Sequence, residues 1–369
     1  MALQSLKISH FRTHKFSTLE FNGQPVVIFG PNGVGKTNVL EAISLLSPGR
    51  GLRRARLENL SKRPDFLGWK IMSDVYLNGN QYEICTWSES NRSRKVSVDG
   101  KLTTQAELGS FLRILWITPL MDRIWLEGSQ ERRSFIDRIV STLVSDHTEN
   151  LLKYYKALRQ RNKLLKDKSS DENWFRVLEH QMASAGAIIE SSRAGVLEKI
   201  MKNQEQSNSS FPVASLKIVG SEFSAPGELE SKLKENRKKD FWAGRTLIGP
   251  HSSDLHAVYS AKAIDARNCS TGEQKALLIS IILATARIQI EKYEITPILL
   301  FDEISAHLDQ KSRVLLYEEI RKLKGQVFLT GTDKTIFEHF RNRAQFFELK
   351  TKQDQTICKR VDDPFVSNI

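Results

Sequence analysis

The segment Gly30-Pro31-Asn32-Gly33-Val34-Gly35-Lys36-Thr37 has the spacing G-x-x-x-x-G-K-T. In such a loop the glycines let backbone N–H groups converge on a phosphate, and the helix that follows adds its positive end. The cradle is then Gly30, Pro31, Asn32, Gly33, Val34 and Gly35, with Asn38 just beyond it. Lys36 reaches the β- and γ-phosphates, and Thr37 offers a hydroxyl to Mg²⁺. A second group is Ile298-Leu299-Leu300-Phe301-Asp302-Glu303, in which four apolar residues deliver two carboxylates. Asp302 suits Mg²⁺, directly or through water, and Glu303 suits a general base that polarises an attacking water. A plain acidic turn at a strand end would look the same without the apolar run before it. A third group, Ser270-Thr271-Gly272-Glu273-Gln274-Lys275, precedes an apolar helix. A small hydroxyl and a glycine at a helix N-terminus form an anion site. Ser270 with Glu273 also reads as a capping box, which exposes the same N–H groups.

These groups need elements to hold them. Val26 to Phe29 reads as a buried strand running into the loop, and Val39, Leu40, Ile43 and Leu46 share a helical face that Pro48-Gly49 ends. Short strands are expected over Leu3 to Ile8 and Leu19 to Phe21. Residues 71 to 100 alternate as strands, with turns at Gly79-Asn80 and Asp99-Gly100, and Ile114 to Ile117 is a further strand. From Gln130 to Met201 the pattern is helical and charged, followed by a polar loop over Asn203 to Ser210. A helix of about 40 residues reaches about 60 Å, so this insertion makes a stubby lobe and not long coiled-coil arms. Ala276 to Ile290 reads as a helix, Pro297 to Phe301 as a strand, Leu308 to Leu323 as a helix and Gln326 to Leu329 as a last strand. The expected domains are 1–125, an inserted helical lobe at 126–245, and 246–369.

The chain has 369 residues, 40% hydrophobic and 27% charged, which suits a globular protein with a substantial core. No apolar run approaches the ~20 residues that cross a bilayer, and the N-terminus lacks the apolar stretch of a secretory signal. Cys85, Cys269 and Cys358 are scattered, as expected of reduced thiols in a cytoplasmic protein. A net charge of +12 favours a polyanionic partner, nucleic acid or an anionic membrane surface. Arg50, Arg53, Arg54 and Arg56 form a basic run after the loop helix and are the candidate phosphate-backbone contacts, against the alternative of a solvated face. Arg132, Arg133, Arg159, Arg161 and Lys163 on the helical lobe read as solvated, and the six tryptophans as packing residues.

The three motifs in this order resemble the ABC-type ATPases, and among them the SMC-like branch. That resemblance implies an α/β fold, an ABC-type P-loop ATPase head of mixed sheets and flanking helices with an inserted mainly helical lobe. It also implies that Ser270 and Gly272, with Gln274 beside them, meet nucleotide held by a second copy, and that Asp309 stands at the seam. The likeness narrows to the RecF family of bacterial DNA gap-repair proteins. It rests on Phe11-Arg12-Thr13, Asn38 to Ile43, Gly49 to Arg53, Pro119 onward through Gly128 to Asp137, Gly249-Pro250-His251 and Leu300 to Asp309. By that likeness Arg12 touches the nucleotide, ATP is the ligand with Mg²⁺, and the protein is an ATP-dependent homodimer on double-stranded DNA near single-stranded gaps. RecR, RecO and RecA are the implied partners, and the implied ATPase activity is a slow, DNA-stimulated switch. The chain departs from the family at Leu120, Gln130 and Ser252-Ser253, and no Q-loop glutamine is placed. Its switch segment reads Thr330-Gly331-Thr332 without histidine, which leaves Thr332 as the hydroxyl for the γ-phosphate.

Three other readings compete. The ATPase subunit of a membrane transporter shares all three motifs, but the absent switch histidine and the basic insertion weigh against it. A stand-alone P-loop kinase has no use for Ser270 to Gln274. A long-armed SMC clamp needs a longer chain. Thr330-Gly331-Thr332-Asp333 lacks the lysine of a guanine-reading motif, so adenine is the expected base. His251, Asp254 and His256 do not complete a metal set.

Overall fold

A computed structural model describes residues 1–64, 67–89, 93–207, 209–220, 225–304, 308–353, 355–362 and 364–365. The chain divides into two compact units. The first comprises Met1–Asp122, Ser209–Phe211 and Ile282–Ile369, and the second Arg123–Asn208 and Pro212–Ile281. The sequence borders at 125/126 and 245/246 follow motifs, whereas these units follow packing. The helix Thr271–Tyr293 begins in the second unit and ends in the first.

In the first unit a six-stranded sheet runs in the order Gln355–Val361, Gln345–Lys352, Val26–Phe29, Val327–Gly331, Ile298–Phe301, Ile114–Ile117. All neighbours are parallel except the terminal hairpin Gln345–Lys352 with Gln355–Val361. Val26–Phe29, Ile298–Phe301 and Ile114–Ile117 are buried at every residue. Burial on both faces is what a continuous apolar run of four demands, and it favours parallel pairing. The strand Val327–Gly331 lies between the loop strand and the acid strand, with Thr330 level with Ile28 and Leu329 level with Phe301. The loop at Gly30 and the carboxylates at Asp302 and Glu303 therefore leave the same, C-terminal edge of the sheet, where open α/β sheets bind ligands.

An antiparallel sheet completes this unit, in the order His14–Glu20, Ser5–Phe11, Trp69–Leu77, Asn80–Ser88, Lys95–Val98, Lys101–Thr103, with Ala2–Leu3 beside Trp69–Leu77. Its hairpins turn at Asn78-Gly79, one residue earlier than expected, and at Asp99-Gly100, where both residues of each pair have positive φ. That conformation matches the twist of the strands it joins. The helix Lys36–Ser44 is enclosed: Val39, Leu40, Ala42 and Ile43 are fully buried. They pack with Leu6, Phe11, Ile28, Ile71, Leu300 and Phe328 in one core that joins both sheets. Truncating Leu40 or Ile43 to alanine there would cost about 2–5 kcal/mol.

The second unit is built on the helices Ser129–Leu143, His147–Lys166 and Glu172–Gln206. The last continues through Gln206, four residues into the polar loop expected from Asn203, and its 35 residues span about 50 Å. It approaches Pro226–Glu235 closely at Gly186, where a β-carbon would lie 2.7 Å from Leu229 Cδ2. A small antiparallel sheet, Ala214–Val219, Asp254–Tyr259 and Ile264–Asp265, was not anticipated.

Two arginines of this unit correct the solvated reading. Arg132 is 3% exposed and forks onto Asp254 at 2.7 and 2.8 Å. Arg161 is fully buried between Glu179, Asp240 and Thr246. A buried guanidinium is tolerated because its donors are matched by acids and hydroxyls. Among the tryptophans, Trp242 is 92% exposed and packs into no core, while Trp69, Trp116 and Trp125 are buried as expected. Among the described residues, no helix is long and apolar enough to cross a membrane.

Candidate nucleotide site

The loop needs glycine twice for steric reasons. Gly30 has φ of 149°, and a β-carbon there would lie 2.4 Å from the Leu349 carbonyl oxygen. Gly35 has φ of 105°, and its β-carbon would lie 2.7 Å from Thr13 Oγ1. Lys36 folds back over this loop: its Nζ donates to the carbonyls of Gly30 at 2.7 Å and Pro31 at 3.0 Å. The side chain is buried, which lowers the ammonium pKa, while the charges of Glu303 and Asp302 oppose that shift.

Thr37 and Asp302, 265 positions apart, meet directly. Thr37 Oγ1 lies 2.9 Å from both carboxylate oxygens of Asp302. Asp302 is 4% exposed, and burial raises its pKa despite the hydroxyl bonds from Thr330 and Thr37. Glu303 follows in the left-handed region at φ 47°. Its amide donates to Thr330 Oγ1 at 2.9 Å, and Thr330 Oγ1 donates to Asp302 Oδ1 at 2.8 Å. Thr330 went unnoticed in the sequence, where Thr332 was favoured. The available signal was its place in the strand: Thr330 is the buried hydroxyl between the two ligand-bearing strands, whereas Thr332 lies past the strand end and is exposed.

Beside the loop lies a second cluster. Arg12, at φ 54°, forks onto Glu41 at 2.7 and 2.9 Å and donates to Asn59 O at 2.6 Å. Arg53 donates to Asn38 Oδ1 at 2.9 Å and approaches Glu41 at 3.5 Å. Asn38 Nδ2 in turn donates to Thr13 Oγ1 at 2.9 Å. Glu41 is only 1% exposed and gathers both guanidinium groups, a role that sequence reasoning missed. Its signal is a carboxylate placed inside an otherwise apolar helix. All four arginines of the basic run are exposed, and Arg53 also reaches the loop helix through Asn38.

In the second unit Ser270 opens the helix Thr271–Tyr293 with a reciprocal capping box. Its amide and hydroxyl both donate to Glu273 Oε2, at 2.9 and 2.8 Å. A Lys262 bond and these Ser270 bonds hold Glu273 down to about 2. Ser270 is exposed and Gly272 half-buried, but Gln274 turns inward, donating to Cys269 O at 2.9 Å. Gln274 therefore anchors the segment and does not share the surface of Ser270. Asp309 caps the helix Gln310–Leu323, accepting from Ser312 N at 2.7 Å. Ser305 to His307 of that motif lie outside the described residues. The set-aside trio is spoken for separately: His251 meets Tyr154 and Thr246, Asp254 meets Arg132, and His256 meets Asp265.

The comparisons with known proteins agree with this geometry. The profile of the family described as RecF/RecN/SMC N terminal domain matches residues 2–357. A DNA replication and repair protein RecF of Rhizobium etli is 41% identical over 362 residues, covering 94% of this chain and 96% of its own. The protein of that name from Brucella suis is 39% identical, covering 96% of each. Among solved structures, the recombination mediator protein RecF with ATP, described as part of the RecFOR pathway, superposes with a TM-score of 0.84 at 25% identity, over 97% of each chain. An Smc head domain from Pyrococcus furiosus shares the fold, with a TM-score of 0.57 at 17% identity.

Proposed function

This chain belongs to the RecF family within the RecF/RecN/SMC group, and on that premise we propose that it is an ATP-dependent DNA-binding protein whose ATP-bound form is a dimer. The observation that carries the nucleotide half is the convergence of Lys36, Thr37, Asp302 and Glu303 at one sheet edge. Lys36 exchanges its loop carbonyls for the β- and γ-phosphate oxygens, and Gly30 and Asn32 to Gly35 present their N–H groups to the same phosphates. The paired oxygens of Thr37 and Asp302 fit Mg²⁺, a hard cation that takes oxygen ligands. When bound, it neutralises charge that develops on the phosphates. Glu303 polarises the attacking water as general base. Arg12 lies beside the loop as a further nucleotide contact, and Thr332 is retained as an outer one.

The dimer half of the proposal rests on Ser270 and Gly272. Ser270, exposed, and Gly272, half-buried, stand at the start of a long helix, whose positive end suits the phosphates of nucleotide on a second copy. Residues 1–125 and 246–369 would then act as the two halves of the ATPase head, with 126–245 as the inserted lobe and Asp309 at the seam. The DNA half is supported by the net charge of +12 and the exposed Arg50, Arg53, Arg54 and Arg56. Contacts of this kind bind backbone, not sequence, so affinity should fall steeply with salt. We place the activity at gapped duplexes, with slow hydrolysis as the reset, and with RecR, RecO and RecA as partners through the family. No observation favours the transporter reading over this one.

The deciding experiment is sizing of the chain with and without ATP, on duplex DNA carrying a gap. The reading expects an ATP-dependent shift from monomer to a dimer on DNA, lost on raising salt from 50 to about 200 mM. A mass unchanged by ATP, or binding indifferent to salt, refutes it.

A further inference from the structure

Thr330 carries one hydroxyl and makes two bonds with it. It accepts from the Glu303 amide at 2.9 Å and donates to Asp302 Oδ1 at 2.8 Å. The directions are forced, because an amide N–H only donates and a carboxylate only accepts. Asp302 also receives Thr37, 2.9 Å from both its oxygens, so a continuous path runs from Thr37 through Asp302 and Thr330 to the Glu303 backbone. Thr330 itself is fully buried, inside the strand between the two ligand-bearing strands. Glu303 sits at φ 47°, a conformation that strains a non-glycine residue unless its surroundings hold it. Its bond to Thr330 is one such hold.

We propose that Thr330 is a positioning residue: one hydroxyl fixes the metal-ligand carboxylate of Asp302 and the backbone of Glu303 in a single arrangement. The proposal rests on the ATPase reading for its consequence, but its geometry stands without nucleotide. Threonine suits the task, since its branched β-carbon fits the strand while its hydroxyl bridges sideways. Valine keeps that shape and loses both bonds. Serine keeps both bonds and loses a methyl.

The test compares Thr330→Val and Thr330→Ser in the full chain by two measurements. Hydrogen exchange of the Glu303 amide needs no ligand. It should quicken by about tenfold or more in Thr330→Val and stay near wild type in Thr330→Ser, as loss of a bond of about 1.5 kcal/mol implies. Single-turnover ATP hydrolysis should fall about 10- to 100-fold in Thr330→Val and recover to within about threefold in Thr330→Ser, a part of what a general base contributes. ATP affinity should change less than about threefold, because Lys36 and the loop are untouched. In a Glu303→Gln background, Thr330→Val should slow hydrolysis by less than it does in wild type, the remainder running through Asp302. Unchanged Glu303 exchange in Thr330→Val overturns the proposal, as does a rate loss that serine fails to rescue or that persists undiminished beside Glu303→Gln. A wild-type chain that exchanges as described but never turns over ATP overturns the ATPase reading instead. Should Thr330→Val not fold, Thr330→Cys, with its weak thiol donor, serves the same comparison.

Discussion

His14 is fully buried, with Nδ1 2.8 Å from Ser17 Oγ, in the strand that begins beside the phosphate loop. Burial pushes its pKa down from 6.5 to about 4, and the charge of Lys62 adds to that shift. Above about 6.5 the imidazole is neutral in folded and unfolded chains alike, and folding gains or loses nothing. Between about 6.5 and about 4 the unfolded chain takes up a proton that the folded one refuses, so stability falls with pH. Below about 4 both bind it, and the loss from this group is complete at up to about 3 kcal/mol. Denaturant midpoints at pH 7 and pH 4.5 should therefore differ more in wild type than in His14→Gln, and equal differences would remove His14 as a cause. At this scale the sequence was readable where a motif requires a residue type, as at Lys36, Thr37 and Asp302. It was silent where the role depends on which strand is a neighbour. Thr330 gains its meaning only because Val327–Gly331 lies between the loop strand and the acid strand.

The helix Lys36–Ser44 shows the same division at the scale of elements. Its apolar face was plain from spacing, and Val39, Leu40 and Ile43 are indeed buried. Glu41, on the same helix, is nearly inaccessible because Arg12 and Arg53 close over it from two different loops. It thereby ties the turn after Ser5–Phe11 and the basic run to the element that positions Thr37. Glu41→Ala should cost about 2 kcal/mol, less than a fully enclosed pair, because both arginines keep some access to water. Urea unfolding would measure it, and a loss under about 0.5 kcal/mol would show that the cluster contributes little. Limited trypsin digestion should find Arg53 and Arg54 more readily in the same variant. The strands Ala214–Val219, Gln345–Lys352 and Gln355–Val361 escaped sequence reading for a physical reason. Lys359 and Arg360 stand side by side in Gln355–Val361, and Thr351 and Lys352 end the alternation of Gln345–Lys352, so pairing partners make these strands; Ala214–Val219 does alternate, burying Ala214 and Leu216, but over six residues only.

At the scale of the whole molecule, the order of motifs along the chain was legible, but the association of copies is not written in one chain's packing. It has to be tested by separating two properties that a single-chain site would keep together. Lys36, Thr37 and Asp302 bond to one another's loops and side chains within the first unit. Lys36→Ala removes the cation that answers the phosphates, so it should weaken ATP binding at least tenfold and abolish ATP-dependent dimers with it. Ser270 belongs to the second unit, where, among the described residues, its hydroxyl and amide are engaged only with Glu273 of its own helix. Ser270→Arg loses a cap worth about 1 kcal/mol, which the chain can tolerate. It also fills an exposed helix start with a long side chain, which blocks the approach of a second copy's nucleotide. The variant should therefore bind ATP as tightly as wild type in a fluorescent-nucleotide titration, yet remain a monomer by light scattering with ATP present. If Ser270→Arg dimerises normally with ATP, Ser270 does not act on a second copy's nucleotide. If it loses ATP binding as Lys36→Ala does, Ser270 serves the nucleotide of its own chain, and the dimer reading loses its chemical basis.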